Sequence, residues 1–191
     1  MGHTAMENQQ NGQTDLWTAT IATAMGNLMI VTDTQQVYAI AFVDEPDPCP
    51  PTLSKRFGPV TLHPHPNPLS VCDRLHAYLA GQWNAFDDLA LNPGGTPFQQ
   101  KVWHALRSIP PGTTRTYAQL ATQIGQPTAC RAVGLANSQN PIAIAIPCHR
   151  VIGSGGALTG YAGGLERKHW LLQHEGIALA AAQPSAQLTL F

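Results

Sequence analysis

Apolar, β-branched and aromatic positions gather in three short stretches near the start of the chain, at residues 16–23, 28–32 and 36–43. Gly26-Asn27 and Asp33-Thr34 separate them, so the pattern predicts a β-meander. Residues 46–51 and 64–68 are rich in proline and are predicted loops. Between residues 69 and 82 the period changes: Val71, Leu75, Tyr78 and Leu79 recur at helical spacing. The first unit is therefore small and α+β, and Asn92-Pro93-Gly94-Gly95 marks its end, giving a division at residues 1–92.

Helical signals dominate from there. Thr96 is a good N-cap, Pro97 suits the first helical position, and Phe98, Val102, Leu106 and Ile109 continue one apolar face. About three turns fit before Pro110-Pro111-Gly112. Thr116 is expected to cap a second helix through Ile124, residues 125–127 to turn, and Thr128 to cap a third helix through Asn137. Two short helices around a glycine-containing turn form a helix-turn-helix unit, although such pairs also serve as plain packing elements. An apolar run at residues 142–146 then leads into Pro147-Cys148-His149-Arg150-Val151. This second unit spans residues 93–176, and residues 177–191 read as a low-complexity tail ending Gln187-Leu188-Thr189-Leu190-Phe191.

Composition narrows the class. The chain has 191 residues and 43% hydrophobic content, enough for a real core, and no apolar run long enough to span a bilayer. Its first six residues lack the basic-then-apolar pattern of a signal peptide, and four scattered cysteines do not form a disulfide framework. A soluble protein of the reducing cytoplasm is expected. The formal net charge of -1 hides an asymmetry: residues 1–95 carry three basic residues against nine acidic, whereas residues 96–176 carry seven basic against two acidic. The second unit is the one suited to a polyanion.

Cys148 is the candidate nucleophile. Only a thiolate attacks well, so a reactive cysteine needs a base or a positive charge nearby. His149 and Arg150 are adjacent in sequence, and adjacent side chains converge only across a turn or through water, which Pro147 favours. Taken alone, a Cys-His pair is more often a buried structural cysteine beside a surface basic pair.

The surroundings are more specific. Tyr117, Gly125, Pro127, Arg131, Gly134 and Asn137 precede Asn140-Pro141; Tyr161, Gly163, Gly164 and Leu165 follow the cysteine, and then Trp170-Leu171-Leu172, His174, Glu175 and Gly176. In order and spacing over residues 96–176 the chain closely resembles the O6-alkylguanine-DNA alkyltransferases of bacterial type; the first ninety or so residues match in general layout only. That resemblance implies an RNase H-like first domain, and a helical second domain with a winged-helix-like helix-turn-helix. It implies direct reversal of damage: Cys148 takes the alkyl group from O6-alkylguanine, and from O4-alkylthymine, in double-stranded DNA. The resulting thioether is permanent, so each molecule acts once, as a monomer and without metal or organic cofactor.

The resemblance also assigns roles. His149, through a water and held by Glu175, is the base, and Tyr117 approaches the guanine and a neighbouring phosphate. O6 is buried in stacked duplex, so the nucleotide must be flipped out. Arg131 is the finger that fills the vacancy, with Ala132 and Gly134 keeping the helix close to the minor groove. Cys148, Val151, Tyr161 and Ala162 frame the base pocket, Gly163 and Gly164 leave space, and Asn140 links the helix-turn-helix to the cysteine. Arg150 is a structural ion-pair partner. Tyr117, Glu175 and the glycine pair each also fit ordinary packing, helix-end or turn positions.

Cys49, His63, His65, Cys72 and His76 lack a zinc-site spacing. Gln187, Leu188, Leu190 and Phe191 resemble the bacterial sliding-clamp-binding motif, and equally suit an apolar end folding back on the domain. The rival classes are an alkyltransferase-like protein that binds without transfer and carries tryptophan at the cysteine position, a winged-helix regulator, and a cysteine hydrolase.

Overall fold

The computed structural model of the protein describes residues 9–10, 13–44 and 50–178, a mixed α+β arrangement. The predicted meander is present. Strand β2 (Gln13–Thr23) pairs antiparallel with β1 (Gln9–Gln10) and with β3 (Gly26–Thr32), setting Thr20 opposite Met29. Strand β4 (Val37–Val43) continues antiparallel on β3, with Ile30 opposite Ile40. The β2–β3 turn closes through the Thr23 hydroxyl, which donates to Gly26 O, and through Gly26 itself at φ 108°.

One helix and one strand are among the elements that escaped the sequence reading. Helix α1 (Pro51–Phe57) begins at a proline, which suits a first helical position because the missing N–H would be unpaired there anyway. Strand β5 (Val60–Pro64) lies parallel to β2, with Leu16 opposite Leu62, a pairing across more than forty residues that leaves no local signal. Strand β5 extends the sheet beside β2, and α1 packs on one face of it through Leu53 and Phe57. Side chains alternate along a strand, so β3 is buried on both sides. Met29 and Val31 pack with Leu16, Tyr38 and Leu53, while Leu28 and Ile30 face the main core.

That main core runs through both halves of the chain. It gathers Val71, Leu75 and Tyr78 of α2 (Val71–Leu79) with Val102 and Leu106 of α3 (Pro97–Arg107). It continues through Leu120 of α4 (Tyr117–Gln123), Val133 of α5 (Cys130–Ser138) and Leu171 of α6 (Leu165–His174). The sheet edge joins in. Val37 N–H donates to Ala90 O at 2.9 Å and Val37 O accepts from Asn92 N–H at 2.8 Å, while Ile40 N–H donates to Pro141 O and Ile40 O accepts from Ala143 N–H. An edge strand left open invites foreign pairing; here it positions the segment that leads to the cysteine.

Thr96 and Thr116 each form a full capping box, with Gln99 and Gln119. Thr128, by contrast, does not cap: it sits within the turn, α5 starts one residue later, and its N-cap, Ala129, brings no side-chain hydrogen bond. Gly95 allows a close approach, since a Cβ there would meet the Trp103 ring at 2.6 Å, and Trp103 Nε1–H donates to Ala136 O, tying α3 to α5. Among the described residues no helix is long and apolar enough to cross a membrane.

Candidate active site

Residues 142–146 are buried apart from the half-buried Ala143, yet they form turns rather than a strand, and Ile144 adopts φ 69°, a costly conformation for a β-branched residue. Pro147 ends the run, and Cys148–Arg150 make a single 3-10 turn with all three side chains buried. Asn140 fixes this turn from outside it. Its Oδ1 accepts from Ile142 N–H, and its Nδ2 donates to Ile146 O at 2.8 Å and to the Cys148 sulfur at 3.0 Å. Asn140 thus does more than link: it is a donor to the sulfur. Burial pushes the Cys148 thiol up, and the Asn140 amide and the Lys168 ammonium oppose that without cancelling it. The resting residue is a thiol that must lose its proton to a base.

The turn resolves the adjacency of His149 and Arg150, because both reach Glu175 at the C-cap of α6. His149 Nε2–H donates to Oε1 at 2.9 Å, Arg150 Nε and Nη2 donate to Oε2 and Oε1 at 2.8 Å each, and Tyr78 Oη donates to Oε1 at 2.7 Å. Burial would raise the Glu175 carboxyl, but His149 and Arg150 outweigh it and hold it well below the usual carboxylate range. A carboxylate at Nε2 fixes the proton there and leaves a lone pair on Nδ1. His149 Nδ1 is buried and has no hydrogen-bond partner among the described residues. Burial lowers the imidazole pKa despite Glu175, so His149 is neutral and its free nitrogen is a base.

A cavity of about 170 Å³ opens beside the sulfur, lined by Asn137, Asn140, Ala143, Tyr161, Ala162 and Gly163 among others. The expected pocket residues Asn140, Tyr161 and Ala162 therefore come together with Cys148. Val151 does not line it; it is fully buried, heads the two-residue strand β7 (Val151–Ile152), which pairs parallel with β6 (Arg115–Thr116), and its carbonyl accepts from Lys168 Nζ at 2.5 Å. A Cβ at Gly163 would lie 2.8 Å from both the Phe42 and Tyr161 rings, so the space there requires glycine.

Several residues at this site were given no role from sequence. Asn137 is buried on the cavity wall and donates to Cys148 O at 3.3 Å. Lys168, completely buried, bridges Val151 O and Thr159 O, and burial pushes its ammonium down to about 8. Its position carried a signal: Lys168, Leu171, Leu172 and Glu175 share the helical spacing of one face, which places two charged residues on the buried side of α6. Arg167 donates to Met25 O and Gly163 O and pairs with Asp44, joining the cavity rim to the sheet.

The other predicted residues lie on α4 and α5. Tyr117 Oη faces Thr159 O and Gly160 O at 3.2 and 3.3 Å, and a Cβ on Gly134 would lie 3.8 Å from its ring, so the Tyr117–Gly134 contact would tolerate alanine. Arg131, Ala132 and Leu135 present an exposed face of α5, with Leu135 59% exposed and Arg131 without an ion-pair partner among the described residues. Cys130 is half-buried. Among the described residues no group of three His, Cys, Asp or Glu side chains is arranged to hold a metal; Cys49 lies outside them.

Comparison with known proteins places these features in context. Residues 97–177 match the family description "6-O-methylguanine DNA methyltransferase, DNA binding domain". The methylated-DNA–protein-cysteine methyltransferase of Salmonella typhimurium is 58% identical over 113 residues, 59% of this chain and 66% of the relative's own length. Its counterpart from Mycobacterium tuberculosis is 50% identical over 142 residues, covering 73% of this chain and 82% of the relative. A variant of the M. tuberculosis O6-methylguanine methyltransferase superposes with a TM-score of 0.71 at 41% identity, over 88% of this chain and 97% of that one. The M. tuberculosis protein in complex with DNA gives 0.70 at 40% identity, over 85% and 92%.

Proposed function

The chain belongs to the methylated-DNA–protein-cysteine methyltransferase family, and from that premise we propose that it repairs DNA by moving an alkyl group from O6-alkylguanine, and from O4-alkylthymine, onto Cys148. The observation that carries this reading is the Cys148 sulfur at a base-sized cavity, held by Asn140, beside a histidine whose partner Glu175 leaves Nδ1 free. The thiol proton passes through a bridging water to His149 Nδ1, with Glu175 stabilising the imidazolium. The sulfur then attacks the alkyl carbon while the carbon–O6 bond breaks. The bonding electrons leave on the purine, which takes up a proton and becomes guanine, and a thioether remains on Cys148. Nothing in this sequence regenerates the thiol, and no metal or organic cofactor enters it.

Delivery of the base requires flipping, and the exposed face of α5 supplies the parts. Arg131 enters the stack, Ala132 and Gly134 keep the helix close to the minor groove, and the uncapped N–H groups at the start of α5 suit a phosphate. Tyr117, at the first turn of α4, is assigned to the guanine and a flanking phosphate, for which its hydroxyl must turn from the carbonyls of Thr159 and Gly160. Tyr161 and Ala162 wall the base, while Val151, whose carbonyl accepts from Lys168, supports the turn behind the pocket. The finer architecture follows the same reading: an RNase H-like part at residues 1–92, a winged-helix-like helix-turn-helix part at residues 93–176, and a tail. The protein acts as a monomer in the cytoplasm. Gln187, Leu188, Leu190 and Phe191, outside the described residues, are assigned to a bacterial sliding clamp; loss of clamp capture on deleting residues 187–191 is expected, and unchanged capture refutes that assignment.

The test is nucleoside analysis of a duplex carrying one O6-methylguanine. The expected result is conversion to guanine in an amount equal to the protein added, with no further conversion afterwards. Continued turnover would mark a hydrolase, and binding without conversion a recognition-only protein.

A further inference from the structure

The fourth donor on Glu175 comes from the first half of the chain. Tyr78, on α2, is 97 positions away and buried, and its hydroxyl donates to the same Oε1 that receives His149 Nε2–H. Its backbone carbonyl also accepts from His174 Nε2 at 2.8 Å, and its ring packs against Phe86 and His174. The hydroxyl and the backbone carbonyl of Tyr78 therefore hold the last turn of α6, one on each of two consecutive residues. We propose that Tyr78 is a positioning residue that sets the basicity of His149 by competing for Glu175 Oε1, so that the first half of the chain tunes the transfer site. This rests on the alkyl-transfer reading above.

An oxygen accepting three hydrogen bonds offers less electron density to each donor than one accepting two. Removing the Tyr78 hydroxyl would concentrate the Oε1 charge on His149 Nε2–H and Arg150 Nη2. The imidazolium would gain stability, and the neutral base would be lost at a higher pH. The charged and titratable groups facing His149 are Glu175 and Lys168 from α6, Arg150 and Cys148 from its own turn, and Tyr78 from α2 through Glu175. Arg150 and Lys168 disfavour a proton on His149, and Glu175 alone among them favours one, which makes its acceptor strength the adjustable quantity.

The experiment is the pH dependence of single-turnover methyl transfer by Tyr78→Phe and by the full-length native chain, with His149 followed by nitrogen NMR in the unreacted proteins. The acid limb of the rate profile and the His149 titration in Tyr78→Phe are expected to move upward together, by about one pH unit. Site-specific 3-fluorotyrosine at position 78, a stronger donor of nearly equal size, is expected to move both downward and keeps the test open if Tyr78→Phe folds poorly. A rate lowered equally at every pH, with an unmoved His149 titration, would make Tyr78 a packing residue and overturn the proposal. Absence of transfer by the native chain would instead refute the alkyl-transfer reading.

Discussion

The side-chain nitrogen of Asn140 lies 3.0 Å from the Cys148 sulfur and 2.8 Å from Ile146 O, so one amide fixes the backbone ahead of the nucleophile and donates to it. A donor at the sulfur favours thiolate over thiol. Asn140→Ala is expected to slow alkyl transfer at neutral pH by about ten- to a hundredfold, from a charge-assisted bond of about 1.5–3 kcal/mol. Its alkaline limb should move to higher pH. Stopped-flow transfer rates across pH check this; an unchanged profile would leave Asn140 with its backbone bonds alone.

Arg150 makes a bidentate ion pair with Glu175 where neither side chain sees much solvent. Removing one partner strands a buried charge. Arg150→Met is expected to lose about 3–5 kcal/mol of stability, measured by urea unfolding, a cost well beyond that of an exposed pair.

At Gly163 a methyl group would meet two aromatic rings at 2.8 Å. Gly163→Ala is expected to cost about 1–3 kcal/mol by overpacking and to slow transfer by narrowing the cavity. Gly134→Ala, where the nearest side-chain atoms are 3.8 Å away, serves as the comparison and should change stability little. Thermal unfolding of the two variants separates them.

Acid should weaken the fold in two stages. The folded-state pKa of His149 is lowered from 6.5 by burial, so below that pH the unfolded chain binds a proton that the folded chain refuses, and stability falls as pH falls. Glu175, held below 4.5 against burial by His149 and Arg150, contributes stability that is present above 4.5 and is lost as pH drops toward its folded value. Urea midpoints are expected to decline from about pH 6.5 and more steeply below 4.5. His149→Gln should remove the first decline and keep the second.

How far the sequence was legible depends on how local each signal was. The N-caps at Thr96 and Thr116, the meander, and the turn around Cys148 are written in neighbouring residues, and they stand where the pattern placed them. Thr128 failed as a cap because a threonine before a helix has the right chemistry, yet the turn geometry decides which residue comes last. Strand β5 and the Tyr78–Glu175 bond join positions tens of residues apart, and no local pattern announces them. Tyr78 looked like one more apolar position on α2, and its ring is indeed in the core; only the fold reveals what its hydroxyl meets. Lys168 was legible in principle, because helical spacing sets it beside Leu171 and Glu175 on the inner face.

The most direct measurement is the intact mass of the protein after incubation with a duplex containing one O6-methylguanine, with Cys148→Ala alongside. The mass of the native chain should rise by one methyl group per molecule, mapped to Cys148 by peptide sequencing and absent from the variant. An unchanged mass, or a methyl group on any other residue, would contradict Cys148 as the acceptor.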